Sequence, residues 1–160
     1  MADRAGPLKG QDLYYVLDEN NVAVPCDPSD AEAVLASRDK RRVGKDEGAG
    51  WMVSTVFLAI DHQYSSGLPP LLFETMVFMT SEDGQRADPE PVNDEHKLHE
   101  SCWRYTTWEE ARAGHAAVTR AVRMLYEGTP DQKAAASSVI ALGDIHDLIE
   151  ASAMLQEQLP

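Results

Sequence analysis

Two apolar runs constrain the fold of this chain more than any other feature: Trp51-Met52-Val53-Ser54-Thr55-Val56-Phe57-Leu58-Ala59-Ile60-Asp61-His62 and Leu71-Leu72-Phe73-Glu74-Thr75-Met76-Val77-Phe78-Met79. Both are rich in β-branched and aromatic residues, which suit a pleated, half-buried surface. The segment between them is rich in Ser, Gly and Pro, the composition of a loop. The pair therefore predicts a central hairpin over about 51–62 and 71–80, with Asp61, His62 and Glu74 at or inside its strands. Side chains alternate along a strand. An undistorted first strand puts Asp61 on one face with Trp51, Val53, Thr55 and Phe57, and His62 on the other with Ser54, Val56, Leu58 and Ile60. At most one of that pair can reach a given pocket.

Upstream, Leu13 to Leu17 and Val22 to Val24 flank Asp18-Glu19-Asn20-Asn21, residues that tolerate tight turns, and predict a first hairpin. Pro25 to Pro28 ends it. Ser29 or Asp30 then caps a helix over about 30–42, and Gly44, Gly48 and Gly50 break the pattern before Trp51. Downstream, residues from about 81 to 101 are polar, contain Pro89 and Pro91, and show neither period; they read as a long exposed loop. A short strand at Cys102 to Thr106 follows. Thr107-Trp108-Glu109-Glu110 is a capping box that starts a helix over about 108–127, with Ala111, His115, Val118, Val122 and Leu125 on the stripe facing the sheet. Beyond Gly128-Thr129-Pro130 the chain is helical to about 158, bent or divided at Gly143. The expected architecture is α+β: a small antiparallel sheet packed by helices in a core domain over 12–127, with a C-terminal helical appendage over 129–158. An apolar edge along Ile140, Leu148 and Leu155 favours self-association of that appendage as a homo-oligomer over packing on the core.

A chain of 160 residues can bury one core without staples. The formal net charge of -13 disfavours direct binding to nucleic acid or to an anionic membrane. Cys26 and Cys102 lie in unlike contexts. No signal segment and no apolar run of the ~18 residues that a membrane helix needs is present, so the expectation is a cytoplasmic protein with reduced thiols and a frayed leader at 1–7.

Several motifs resemble one family. Val53-Ser54-Thr55-Val56-Phe57-Leu58 with Asp61-His62, then Pro69-Pro70-Leu71-Leu72-Phe73-Glu74-Thr75-Met76-Val77-Phe78, then Arg104-Tyr105-Thr106-Thr107-Trp108-Glu109-Glu110-Ala111 with Gly114-His115, are similar in wording and order to a family of short, uncharacterised bacteriophage and prophage proteins. Asp39-Lys40-Arg41-Arg42-Val43 is similar to the segment before that family's first central strand, so the resemblance covers roughly 12–122. It implies a phage setting, hence host cytoplasm and a host or defence protein as partner, and it brings no assigned activity.

Two constellations can carry chemistry. Asp61, Glu74 and His115, with His62, can bind a divalent metal or act as acid and base if they converge. The competing reading has His115 half-buried, Asp61 capping a turn and Glu74 paired with an arginine. The basic run Arg38, Lys40, Arg41, Arg42 and Lys45, with Trp51, Trp103, Arg104 and Tyr105, offers guanidinium forks and stacking faces for a small nucleotide; its alternative is a solvated helix end. Arg41, Arg42, Trp51, Trp103, Arg104 and Tyr105 are the candidate ligand-binding residues. No glycine-rich phosphate loop, Gly-x-Ser-x-Gly elbow, Cys-x-x-Cys pair or His-Glu-x-x-His occurs. The leading expectation is therefore a non-enzymatic phage accessory protein without a cofactor, in one version sequestering a nucleotide. A small metal-dependent hydrolase is the alternative, and an acidic mimic of nucleic acid a further one.

Overall fold

A computed structural model describes residues 12–81, 102–141 and 143–156. The expected 81–101 loop falls, from residue 82 on, outside the described residues, as do the leader and residues 157–158.

The first hairpin forms as its turn residues dictate. Strands β1 (Tyr15–Leu17) and β2 (Ala23–Pro25) pair antiparallel. Asp18 Oδ1 accepts the Asn20 and Val22 amides at 2.8 Å each, and Asn21 takes the left-handed backbone (φ 61) that Asn tolerates.

The expected helix over 30–42 is shorter and divided. Helix α1 spans Pro28–Leu35, and Ser37 caps a single turn, α2 (Arg38–Arg41). The chain then enters a strand that the glycines conceal, β3 (Arg42–Gly48), with a register shift between Arg42 and Gly44. Strand β4 (Trp51–Phe57) returns from it through Ala49 and Gly50, whose φ of +85 is glycine territory.

The main sheet is antiparallel throughout, in the order β3-β4-β5-β6, where β5 is Phe73–Met79 and β6 is Cys102–Tyr105. Registers Phe57↔Phe73 and Phe73↔Tyr105 stack one buried row across three strands. Along β4 burial alternates strictly, with Trp51, Val53, Thr55 and Phe57 on the buried face. The first central strand is shorter than the sequence predicts because Ala59 adopts φ 61, which ends the extended run. Its carbonyl instead accepts the Tyr15 amide at 3.0 Å, tying the first hairpin to the end of β4.

Helix α3 (Trp108–Glu127) covers the buried face. Its capping box is complete: Thr107 Oγ1 accepts the Glu110 amide at 3.2 Å and Glu110 Oε2 accepts the Thr107 amide at 3.1 Å. Helix α4 (Pro130–Ile140) starts with a second box from Thr129 and Gln132, and Gly143 (φ 71) separates it from α5 (Ile145–Gln156). These two helices pack on the far side of α3, so α3 buries residues on two sides, among them Ala117 and Ala121 as well as Val118 and Val122. The Arg120 guanidinium donates to the Ser152 carbonyl at 3.1 Å and to its hydroxyl at 2.7 Å, locking α5 in place. The C-terminal segment thus packs on the core. Leu148, read as part of a self-association edge, is fully buried there. No helix among the described residues is long and apolar enough to cross a membrane.

Candidate functional site

The sheet divides the sequence-derived candidates between its two faces. Trp51, Trp103 and Tyr105 belong to the core, 1%, 5% and 3% exposed, so their rings are spent on packing rather than offered to a ligand. Arg104 alternates to the opposite face, where its Nε donates to Glu74 Oε2 at 2.9 Å. Arg42 is exposed and lies 3.4 Å from Asp39, and Arg41 is half-buried on α2. Arg104 and Tyr105 do border one hollow of about 350 Å³ together with Glu109 and His146, apart from the other four candidates.

The three residues of the metal reading do not converge. His115 lies against the α3-facing side of β4, and Glu74 lies on the reverse face of β5. Asp61 is buried and His62 exposed, but both lie beyond the end of β4, past the turn of the backbone at Ala59, so strand alternation does not set their separation. Asp61 Oδ1 accepts the Gln63 amide at 2.9 Å and the Leu71 amide at 3.1 Å, closing the loop between the central strands. Among the described residues no three His, Cys, Asp or Glu side chains are grouped to hold a metal ion. Cys102, exposed beside Glu74, is a poor nucleophile. Desolvation of its sulfur, then the hydrogen bond and negative charge of Glu74, push its thiol up to about 11.

What His115 does instead is join the helix to the sheet. Its Nε2 is 2.9 Å from Asp46 Oδ2, and its Nδ1 is 2.8 Å from Thr55 Oγ1. Thr55 Oγ1 is 2.6 Å from Thr75 Oγ1, which accepts the Tyr105 hydroxyl at 3.0 Å. The chain closes without conflict when every group donates toward Asp46: Tyr105 to Thr75, Thr75 to Thr55, Thr55 to His115 and His115 Nε2–H to the carboxylate. Two glycines make room for it. A Cβ on Gly44 would sit 2.5 Å from the His115 ring, and one on Gly114 would overlap the Tyr105 phenol. Asp46 and Gly44 lie on β3, whose glycines break the apolar pattern, so the sequence does not display this partnership.

The Asp-His-Thr order is that of a hydrolytic triad turned inside out. In a working triad the carboxylate is buried and the hydroxyl faces substrate. Here the Asp46 side chain is 44% exposed and Thr55 is fully buried. The hydroxyl end is closed to substrate and the network reads as a polar zipper.

Burial pushes the Tyr105 phenol up to about 12, against a smaller lowering from Thr75. The folded value lies above the ordinary 10.0, so this contribution is intact below about pH 10 and is lost as pH rises through about 12. Denaturant titrations should show stability falling by up to ~2 kcal/mol across that window. In Tyr105→Phe the fall should be shallower; identical slopes would remove Tyr105 as the cause.

At its exposed end the zipper opens on a cleft of about 560 Å³ between β3, α3 and the start of α4. His115, Thr119, Arg120 and Arg123 supply one helical face of it, Asp46 the strand edge, and Glu127 and Gln132 the far end. Arg123 sits 6.0 Å over the Trp51 ring, whose Nε1 donates to Glu127 Oε1 at 3.2 Å. Thr119 is 8% exposed and its hydroxyl has no hydrogen-bond partner among the described residues. The helical spacing of 115, 119 and 123 was visible in the sequence, but only the packing of α4 turns that row into a wall.

Comparison with family models, curated proteins and solved structures returns no match. The phage resemblance stands on its motifs alone.

Proposed function

We propose that this chain is a non-enzymatic binding protein, of the accessory kind the phage resemblance implies, that takes a small molecule in the cleft beside α3. The observation that carries the reading is the charge on the cleft walls, where Arg120 and Arg123 stand on α3 across from Asp46 on the edge of β3. The cleft lies in the ~300–1,000 Å³ range of small-molecule sites.

The inverted relay favours binding over hydrolysis, because no side chain combines nucleophilic character, access and an adjacent base there. The buried tryptophans move the ligand away from the stacking platform expected from the sequence. Removing a small molecule from the host pool is the route by which such a protein acts on a host or defence process in the cytoplasm.

Mass spectrometry of the denatured, purified protein tests the reading. Wild type should release a small molecule in near-stoichiometric amount, and Arg123→Met should release much less while keeping the same far-UV circular dichroism. Equal release from the variant, or none from wild type, overturns it.

A further inference from the structure

We infer, resting on the binding reading above, that the cleft is built for a small zwitterion of the α-amino-acid type. Its charged lining carries both signs in equal number: Arg120 and Arg123 against Asp46 and Glu127. A plain anion would gain two guanidinium groups and meet two carboxylates, on a chain whose net charge of -13 already repels it. A plain cation would meet the opposite pair. A ligand with one group of each sign takes both walls.

The capacity each wall has left fits that division. The Arg123 guanidinium carbon lies 6.0 Å from the centre of the Trp51 ring, close enough for a cation–π attraction that uses none of its N–H donors, and these can hold a carboxylate. Thr119, four residues earlier on the same helical face, borders the cleft with a side chain that is itself buried. Arg120 is less available, because one of its nitrogens is committed to Ser152. Across from Arg123, on the edge of β3, Asp46 Oδ2 is engaged by His115, and one helical turn beyond Arg123 Glu127 Oε1 accepts from Trp51. Among the described residues the second oxygen of each carboxylate has no partner, and either can accept from an ammonium group. Ala116 and Met124 supply apolar lining for a side chain, and the flexible thioether of methionine accommodates more than one shape.

Thermal-shift and calorimetric titration of the full chain test this, with L-leucine, L-methionine and L-glutamine as zwitterions, and acetate, inorganic phosphate and n-butylamine as single-charge controls. At least one amino acid should raise the melting temperature and bind at least ~10-fold more tightly than every control. Arg123→Met and Glu127→Gln should each weaken it ~10-fold or more; the Gln variant keeps the amide oxygen for Trp51 and removes only the charge. Acetate or phosphate binding as tightly, unmoved by Glu127→Gln, would make this a plain anion site and overturn the inference. If no amino acid binds while the purified protein still releases an Arg123-dependent molecule, the zwitterion inference fails and the binding reading stands. If neither occurs, both fail.

Discussion

Gly114→Ala should destabilise the protein by about 2 kcal/mol or more, although the same change in a helix interior ordinarily stabilises by about 1 kcal/mol. Packing decides the sign. Gly114 is buried in the middle of α3, and the added methyl would overlap the hydroxyl and ring carbons of Tyr105, itself 3% exposed and held by Thr75. Neither partner can yield cheaply: the ring is enclosed by the sheet, and the glycine belongs to a helix pinned by its capping box and by Arg120. For a chain of this size the loss corresponds to a fall in melting temperature of about 5 °C. A double-mutant cycle identifies the cause. In a Tyr105→Ala background the overlap is gone, and Gly114→Ala should become neutral or stabilising. A Gly114→Ala protein as stable as wild type would refute the close approach of helix and sheet.

Thr55→Val should cost about 3 kcal/mol with almost no change in shape. Thr55 is the middle of the polar zipper, so a methyl in place of its hydroxyl leaves His115 Nδ1 without its donor and Thr75 without its acceptor, both in buried surroundings. An unmade hydrogen bond in such a place costs the full desolvation of each stranded group, ~1–3 kcal/mol apiece, whereas removing both partners of a bond is far milder. Thr55→Val with Thr75→Val should therefore lose less than the sum of the two single changes, as chemical denaturation would measure. Additive losses would mean that the two threonines merely pack side by side.

Both predictions act on the polar zipper, most of whose elements the sequence displays and one of whose strands, β3, it hides. The alternating run from Trp51 to Phe57, the capping box at Thr107, the helix start at Thr129-Pro130, and the break at Gly143 are local signals. Local chemistry decides them, and each forms where the sequence places it. Strand β3 has no such signal, because two of its seven residues are glycines and four are charged. Those glycines answer to partners far away in sequence: Gly44 clears the His115 ring, and a Cβ on Gly48 would meet the Trp51 indole at 2.5 Å. Missing β3 meant missing Asp46, and with it the true company of His115. The tryptophans misled for a related reason. An aromatic residue beside a basic run offers the same letters whether its ring stacks on a ligand or fills the core, and only the register of β6 puts Trp103 and Tyr105 inward while Arg104 turns out. The cleft itself was illegible, since it exists only where the edge of β3, the flank of α3 and the start of α4 meet.

That cleft carries the functional account, and amide chemical-shift mapping tests it most directly. Isotope-labelled protein stripped of any retained molecule would be titrated with the material released by denaturing the purified wild type. The account predicts that the largest shifts fall on Asp46, Thr119, Arg123 and Glu127 and saturate together. Shifts confined to the opposite face of the sheet, around Glu74 and Arg104, with the α3 row unmoved, would contradict it.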